Sequence, residues 1–354
     1  MLKKEIIVKV ITKSSHLNAD KPSNPQHGSF PGSLPTWGGC RFVFGNEQKY
    51  DWLVVYDDFA GELPLNCPQA HTLLITSEPS SVKTYESAYT RQFAYVLTGQ
   101  ENWALKHPGK IHSQPALHWF YGVNSTKSRS YDQIAQNPPI DKQQLISTVT
   151  SSKRQKHTLH NKRYHFIAQL EKKFPELDRF GKGIREIQDK AEALDPYKYH
   201  IAIENHICNH WWTEKLSDAF LGMCLPFYCG APNASKYFPE ESFIPIDMND
   251  LEGSYQIISD AIKNNEYQKR LPAIKEARKR VLEKYNLYST ISQIIKKRHL
   301  NSLESNRGKI EIKSIKCRGL LRRQPVYAIL TTFEKLRNRV YNLIQQYIDR
   351  VRSL

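Results

Sequence analysis

The sequence predicts an α/β protein of two domains followed by a basic helical tail. Three observations lead there. Short apolar runs at Trp52 to Tyr56, Leu73 to Thr76 and Phe93 to Leu97 have the length of buried parallel strands, and polar or helical connections separate them. A β-α-β pattern follows between Tyr199 and Tyr228. From Val326 to Val351, apolar residues return at helical spacing among lysines and arginines.

The first domain covers residues 1–148. Ile6, Ile7, Val8, Val10 and Ile11 make Ile6 to Thr12 a first strand, too short to be the apolar region of a signal peptide. His16 to Gly39 is rich in Pro, Gly, Ser and Asn and reads as a long loop of the functional kind. Asp57-Asp58 follows a strand but lacks the Asp-x-Asp pattern of metal-dependent transferases. It reads as a pair of solvated loop acids, and no metal is expected. Val123 to Gln144 is polar and carries Pro-Pro, so the interdomain linker falls near its end.

The second domain covers residues 149–300, with Leu145 to Thr150 as the strand that leads in. Lys162 to Phe174 is a helix with Phe166, Ile167 and Leu170 on one face. Gly181-Lys182-Gly183 is a turn, too short for a dinucleotide fingerprint. Tyr199 to Ile203 is a buried strand and His206 to Trp212 a polar, aromatic loop. Thr213 caps a helix that begins with Glu214 and Lys215 and runs through Leu216, Ala219, Phe220 and Met223. Leu225 to Tyr228 returns as a strand, closed by Gly230 and Pro232. Tyr255 to Asn264 and Leu271 to Tyr285 are late helices.

The tail, residues 301–354, carries Lys309, Lys313, Lys316, Arg318, Arg322, Arg323, Lys335, Arg337 and Arg339 against few acids. Its amphipathic helix suits an anionic membrane surface, a second copy of the chain, or packing back onto the domains. The chain of 354 residues has a formal charge of +16, which favours anionic partners. Six scattered cysteines show neither Cys-x-x-Cys nor zinc spacing and read as reduced thiols of a cytoplasmic protein. No run of about 18 apolar residues exists to span a membrane. The expected location is cytoplasmic, peripheral on the inner membrane face.

Chemistry concentrates in a few places. A helix N-terminus after a strand is an anion site, because its free N–H groups and dipole favour negative charge. Lys215 in the first turn opposes that dipole, which suits a lysine that meets an anion. Arg163, in Asn-Lys-Arg-Tyr-His-Phe, offers a fork for phosphate oxygens, although Lys162 and Arg154 stand close by. Glu214 favours the helix dipole and is free to hold ligand hydroxyls as well. Asn205 ends its strand as a turn residue or a cleft residue, and Glu204 either orients the loop or touches ligand. In Ile75-Thr76-Ser77-Glu78-Pro79 a carboxylate sits at a strand end, where ligands of α/β sheets bind.

The segment from about Arg163 to Asp247 resembles the donor-binding motif of the glycosyltransferase family 10 fucosyltransferases. The residues that carry it are Ile203-Glu204-Asn205, Thr213-Glu214-Lys215, Pro226 to Pro232, and Ser242-Phe243-Ile244. Ser151 and Ser152 followed by Arg163 and Phe166 look like the family's Arg-x-x-Phe element, and Glu78-Pro79 like its Glu-Pro element. The resemblance implies a GT-B fold, two Rossmann-like domains facing a cleft, with an N-terminal acceptor domain and a C-terminal donor domain. It implies an inverting enzyme that moves fucose from GDP-fucose to a hydroxyl of a glycan acceptor without an obligate metal. Glu78 is then the general base, and Arg163, Asn205, Trp211, Glu214 and Lys215 bind the donor. His118 and Trp119 would line the acceptor side, or they are packing. Trp211-Trp212 departs from the family, which has a tyrosine two residues before Thr-Glu-Lys, and so leaves open another nucleotide sugar. A different class, a nucleic-acid-binding protein, suits the charge, but the charge is concentrated in the tail and no helix-turn-helix, RNA-recognition or zinc signature appears.

Overall fold

The computed structural model describes residues 5–13, 29–124, 128–152, 158–304 and 313–352. Contacts divide the chain into two compact units, Met1–Ala116 with Leu287–Leu354, and Leu117–Asn286.

The first unit is built on β1 (Ile6–Thr12), β2 (Thr36–Trp37), β3 (Cys40–Val43), β4 (Trp52–Tyr56), β5 (Glu62–Pro64), β6 (Thr72–Ile75), β7 (Tyr95–Thr98) and β8 (Lys110–His112). The main sheet runs β2-β3-β1-β4-β6-β7-β8, parallel except for the β2 edge. β4 and β6 are buried along their whole length. That explains their continuous Leu, Val and Ile runs, which a sheet covered on both faces requires. A single helical turn, α1 (Ser87–Thr90), lies between β6 and β7.

In the second unit, α2 (Tyr131–Gln136) precedes β9 (Gln144–Val149), α3 (His160–Lys173), β10 (Leu177–Phe180), β11 (Tyr197–Ile203), α4 (Glu214–Leu221), β12 (Leu225–Cys229) and β13 (Ile244–Pro245). The sheet is fully parallel in the order β10-β9-β11-β12-β13. Strand order therefore reverses between β9 and β11, the crevice where such sheets bind ligands. Phe166, Ile167 and Leu170 of α3 pack on Ile146, Ile201 and Phe227 of the sheet. Two helices, α5 (Leu251–Lys263) and α6 (Glu266–Lys279), close this core with Ile258 and Ile274.

After Asn286 the chain rejoins the first unit. α7 (Leu287–Glu304) buries Leu287, Tyr288, Ile291 and Ile295, an apolar stripe at helical spacing. Tyr288 stacks on Phe30 with centroids 4.0 Å apart, and His299 Nδ1 accepts from the indole N–H of Trp52 at 3.0 Å. Three tail elements follow, β14 (Ser314–Lys316), α8 (Arg318–Arg322) and α9 (Pro325–Arg352). β14 pairs antiparallel with β5.

These contacts correct three expectations. The boundary falls at 116/117 and not at 148, because Phe120 and Tyr121 bond to Asp218 within the second unit. The second unit ends at 286 and not at 300, because α7 packs on β2 and β3. The tail is not a separate appendage. Arg318 is buried and pairs with Glu86 at 2.8 Å, so part of the tail's basic charge is spent inside the first unit. Of the predicted long loop His16 to Gly39, residues 16–28 lie outside the described residues, while β2 and the turn Pro31–Ser33 occupy part of the rest.

Candidate donor site in the second unit

The carboxyl ends of β9 and β11 and the start of α4 enclose a cavity of about 240 Å³ at the strand-order reversal. Ser151, Arg163, Asn205, Glu214 and Lys215 line it. So do His160, Lys190, His200 and Asp218.

The α4 N-terminus is set by a buried carboxylate. Glu204 is fully buried, and its two oxygens accept from the Thr213 backbone N–H at 2.8 Å and the Thr213 hydroxyl at 2.7 Å. Thr213 Oγ1 in turn accepts from the Lys215 backbone N–H at 3.3 Å, the capping bond of the helix. Glu204 thus orients the loop and does not line the cavity. Gly230 makes room for it. A Cβ there would stand 2.6 Å from Glu204 Cγ and 2.2 Å from the Tyr228 hydroxyl oxygen. Behind the cap, Leu216, Ala219 and Phe220 are fully buried, and each of the two large side chains is worth about 1.5–3 kcal/mol of burial.

Lys215 reaches back over its own cap. Its Nζ lies 2.9 Å from Glu214 Oε1, 3.2 Å from Thr213 Oγ1 and 3.6 Å from Glu204 Oε2. Burial acts to lower the ammonium pKa, but Glu214 and Glu204 outweigh it and raise it above the ordinary value. The Glu214 carboxyl is held well below its ordinary value, because Lys215 and Lys190 overcome the burial that would raise it. Arg163 is buried on α3 and donates to the Ile203 carbonyl at 3.3 Å. Burial lowers its pKa, opposed by Glu204 and Glu214, and an arginine remains a cation throughout. Asn205 carries a buried side-chain oxygen without a protein partner, at the cavity wall.

Sequence reasoning missed four lining residues. Lys190 Nζ is 2.7 Å from Asp218 Oδ2 and 3.9 Å from Glu214 Oε1. Asp218 is nearly inaccessible, and burial raises its pKa against the pull of Lys190. One signal was legible. Glu214 and Asp218 stand four residues apart on one helix face, and such like charges repel unless a cation sits between them. His200 is buried against the Ser147 hydroxyl at 2.9 Å, and burial pushes its pKa down to about 3, so the imidazole is neutral. His160 opens α3 at the cavity wall.

Other expected residues fall elsewhere. Trp211 is buried, makes an edge contact with His206 and does not line the cavity. Trp212 belongs to an aromatic cluster with Tyr237, Phe238 and Tyr285. The departure from the family's tyrosine therefore sits in packing. His118 and Trp119, expected in the first domain, are buried residues of the second unit and stack on each other at 5.8 Å. The Gly181-Lys182-Gly183 turn is required. Gly181 has φ of 135°, and a Cβ would meet the Thr150 carbonyl oxygen at 2.2 Å. Arg154 and Lys309 lie outside the described residues.

Glu78 stands in the first unit, three residues beyond β6 and half-buried. The Tyr85 hydroxyl accepts from the backbone N–H of Ser77 at 3.0 Å and of Glu78 at 3.3 Å, and donates to Asp57. Lys83 Nζ meets Asp57 at 2.5 Å, and Gln100 Nε2 donates to the Glu78 carbonyl at 2.9 Å. Asp57 and Asp58 are therefore not solvated loop acids. Burial would raise the Asp57 carboxyl, but Lys83 and Tyr85 hold it below its ordinary value. Asp58 is buried, bonded to Lys13 and to the Arg318 backbone N–H.

The two parallel α/β units and this cavity define a GT-B-type glycosyltransferase fold. Residues 140–267 match the sequence model of glycosyltransferase family 10 (fucosyltransferase) C-term, the segment in which the sequence resemblance lies. The mouse 4-galactosyl-N-acetylglucosaminide 3-alpha-L-fucosyltransferase 9 is 28% identical over 142 residues, 37% of this chain and 38% of that protein. Alpha-(1,3)-fucosyltransferase FucT of Helicobacter pylori is 33% identical over 60 residues, 17% of this chain and 13% of that protein. The matches thus span well under half of these curated relatives. A crystal structure of an alpha1,3-fucosyltransferase with GDP-fucose superimposes with a TM-score of 0.52 at 16% identity, covering 85% of this chain and 91% of that one. That likeness establishes the fold.

Proposed function

We propose that the protein is an inverting fucosyltransferase that moves fucose from GDP-fucose to a hydroxyl of a glycan acceptor. The observation that carries this reading is the cavity at the β9/β11 reversal, where Arg163, Lys215 and the α4 N-terminus converge beside Glu214 and Asn205. Transfer from a nucleotide sugar releases a diphosphate, and preorganised cations and N–H dipoles stabilise that leaving group. Arg163 supplies the fork and Lys215 the point charge. Lys215 now rests on Glu214 and Glu204, so an entering diphosphate takes over the lysine while Glu214 turns to donor hydroxyls. Asn205 brings its unpartnered oxygen to the same wall. These cations fill the role that a bridging metal plays in metal-dependent transferases.

The second unit binds the donor in this reading and the first unit the acceptor. Glu78 takes the proton from the attacking hydroxyl. Its loop is fixed by Tyr85 and Gln100, which suits a base that must be positioned. His118 and Trp119 serve packing in the donor unit. The acceptor belongs to a surface polysaccharide or lipid-linked saccharide, reached at the inner membrane face.

Incubation of the full chain with GDP-fucose and galactosyl-N-acetylglucosamine acceptors tests this. Release of GDP together with an acceptor heavier by one deoxyhexose is expected. GDP release without that product, or no turnover with any glycan acceptor, contradicts it.

A further inference from the structure

One wall of the donor cavity carries a histidine whose ring nitrogens have different partners. His200 sits in the middle of β11. Tyr199, Ile201 and Ile203 turn toward α3, so His200 points to the other face of the sheet, where it lines the cavity. It is 5% exposed. The Ser147 hydroxyl lies 2.5 Å from the Ala193 carbonyl and 2.9 Å from His200 Nδ1. A carbonyl only accepts, so the single hydroxyl proton goes to Ala193. Ser147 Oγ then accepts from His200, which fixes the ring proton on Nδ1. Burial, with Lys190 and Lys142 nearby, keeps the imidazole neutral. Nε2 is therefore a bare lone pair.

Among the described residues Nε2 meets no hydrogen-bond donor. A buried acceptor without a donor is costly, and the cavity is where a donor can come from. A diphosphate cannot supply one, because it brings acceptor oxygens and negative charge. It belongs with Arg163, Lys215 and the α4 N-terminus, while the Glu214 carboxylate suits hydroxyls. The wall around His200 has another character. Val149, Leu194 and Ile201 give it an apolar surface beside one neutral acceptor. Such a wall suits a flat heterocycle that presents an N–H at its edge.

We infer that His200 Nε2 accepts a hydrogen bond from the exocyclic 2-amino group of guanine and so helps the site choose its nucleotide. The inference rests on the reading of this cavity as a GDP-fucose site. Guanine and uracil both carry a ring N–H, so an acceptor that met only that group would not tell them apart. The 2-amino group belongs to guanine alone among the common bases. A base with a carbonyl at that position would set one acceptor against another and leave both unpaired, which adds discrimination. The tautomer cannot reverse without breaking the Ala193–Ser147–His200 chain, so the lone pair stays available.

Calorimetric titration of the full chain with GDP and with inosine diphosphate, which lacks only the 2-amino group, tests this. The parent should bind GDP about tenfold more tightly than inosine diphosphate, the value of one buried hydrogen bond. His200→Phe keeps a ring and removes the acceptor, and should make the two affinities nearly equal. His200→Gln returns an acceptor oxygen at a similar reach and should restore most of the preference. Urea unfolding checks that both variants fold. A purely structural role for His200 would weaken both nucleotides alike and keep their ratio at the parental value, a result that overturns the inference. So does equal binding of the two nucleotides by the parent, a comparison that needs no variant. A parent that binds neither nucleotide contradicts the GDP-fucose reading, and this inference with it.

Discussion

Asp218 Oδ2 meets Lys190 Nζ at 2.7 Å, while its Oδ1 accepts the backbone N–H groups of Phe120 and Tyr121 at 3.0 and 3.2 Å. One buried carboxylate therefore ties the segment after Leu117 to α4 and holds a lysine at the cavity. Lys190 also stands beside Glu214, so the pair links the shape of the site to its charge.

Lys190→Ala should cost the protein about 3 kcal/mol, the lower end for breaking a buried pair, since Lys190 is partly exposed. Asp218→Asn should cost less, because the amide oxygen still accepts from both N–H groups. Urea unfolding of the two variants decides. A loss of a few tenths for Lys190→Ala would show that Asp218 does not need its cation.

Glu86 should give the fold a pH dependence. It is buried, and burial acts to raise its pKa, but Arg318 and Arg322 hold it below the ordinary value. A carboxyl depressed in the folded state contributes stability above its unfolded pKa and loses it as pH falls through the folded one. Glu86→Gln should destabilise the chain by about 3 kcal/mol at pH 7, and the gap from the parent should shrink below pH 4. A gap constant from pH 7 to pH 3 would contradict the assignment.

Glu78→Gln should lower kcat by about 100-fold or more, the range for a lost general base, and leave the affinity for GDP unchanged. Steady-state kinetics with calorimetric GDP titration separates the two. Weakened GDP binding with normal kcat would remove Glu78 from the base role.

Arg163→Lys keeps the charge and loses the fork. We expect kcat/KM to fall by about 100-fold, equivalent to about 2.7 kcal/mol of transition-state stabilisation. The fall should exceed any loss of fold stability measured in urea. Full activity in the lysine variant would show that point charge alone suffices.

Much of this was legible in the chain. β1 and β4 fall where their apolar runs end, and α4 begins after Thr213 as its capping chemistry requires. Glu214, Lys215 and Arg163 do meet at one cavity. The rest depended on contacts between residues far apart in sequence. Nothing local marks Lys190 as a site residue, because its Asp189/Glu192 capping box looks like that of any short helix. The return of α7 to the first unit rests on Trp52 finding His299. The tail's arginines look alike in sequence, yet Arg318 is buried on Glu86 while Arg323 is exposed. The polar residues Glu334, Asn338 and Asn342 face inward on α9 and invert the usual pattern, so periodicity alone could not say which face packs.

Calorimetric titration of the full chain with GDP-fucose, GDP, UDP-, ADP- and CMP-sugars, with Lys215→Ala and Arg163→Ala alongside, tests the central claim most directly. Selective binding of GDP-fucose and GDP, lost in both variants while their folds persist, is the predicted result. Preference for another nucleotide sugar, or GDP-fucose binding untouched by both substitutions, would contradict the assignment of this cavity as a GDP-fucose site.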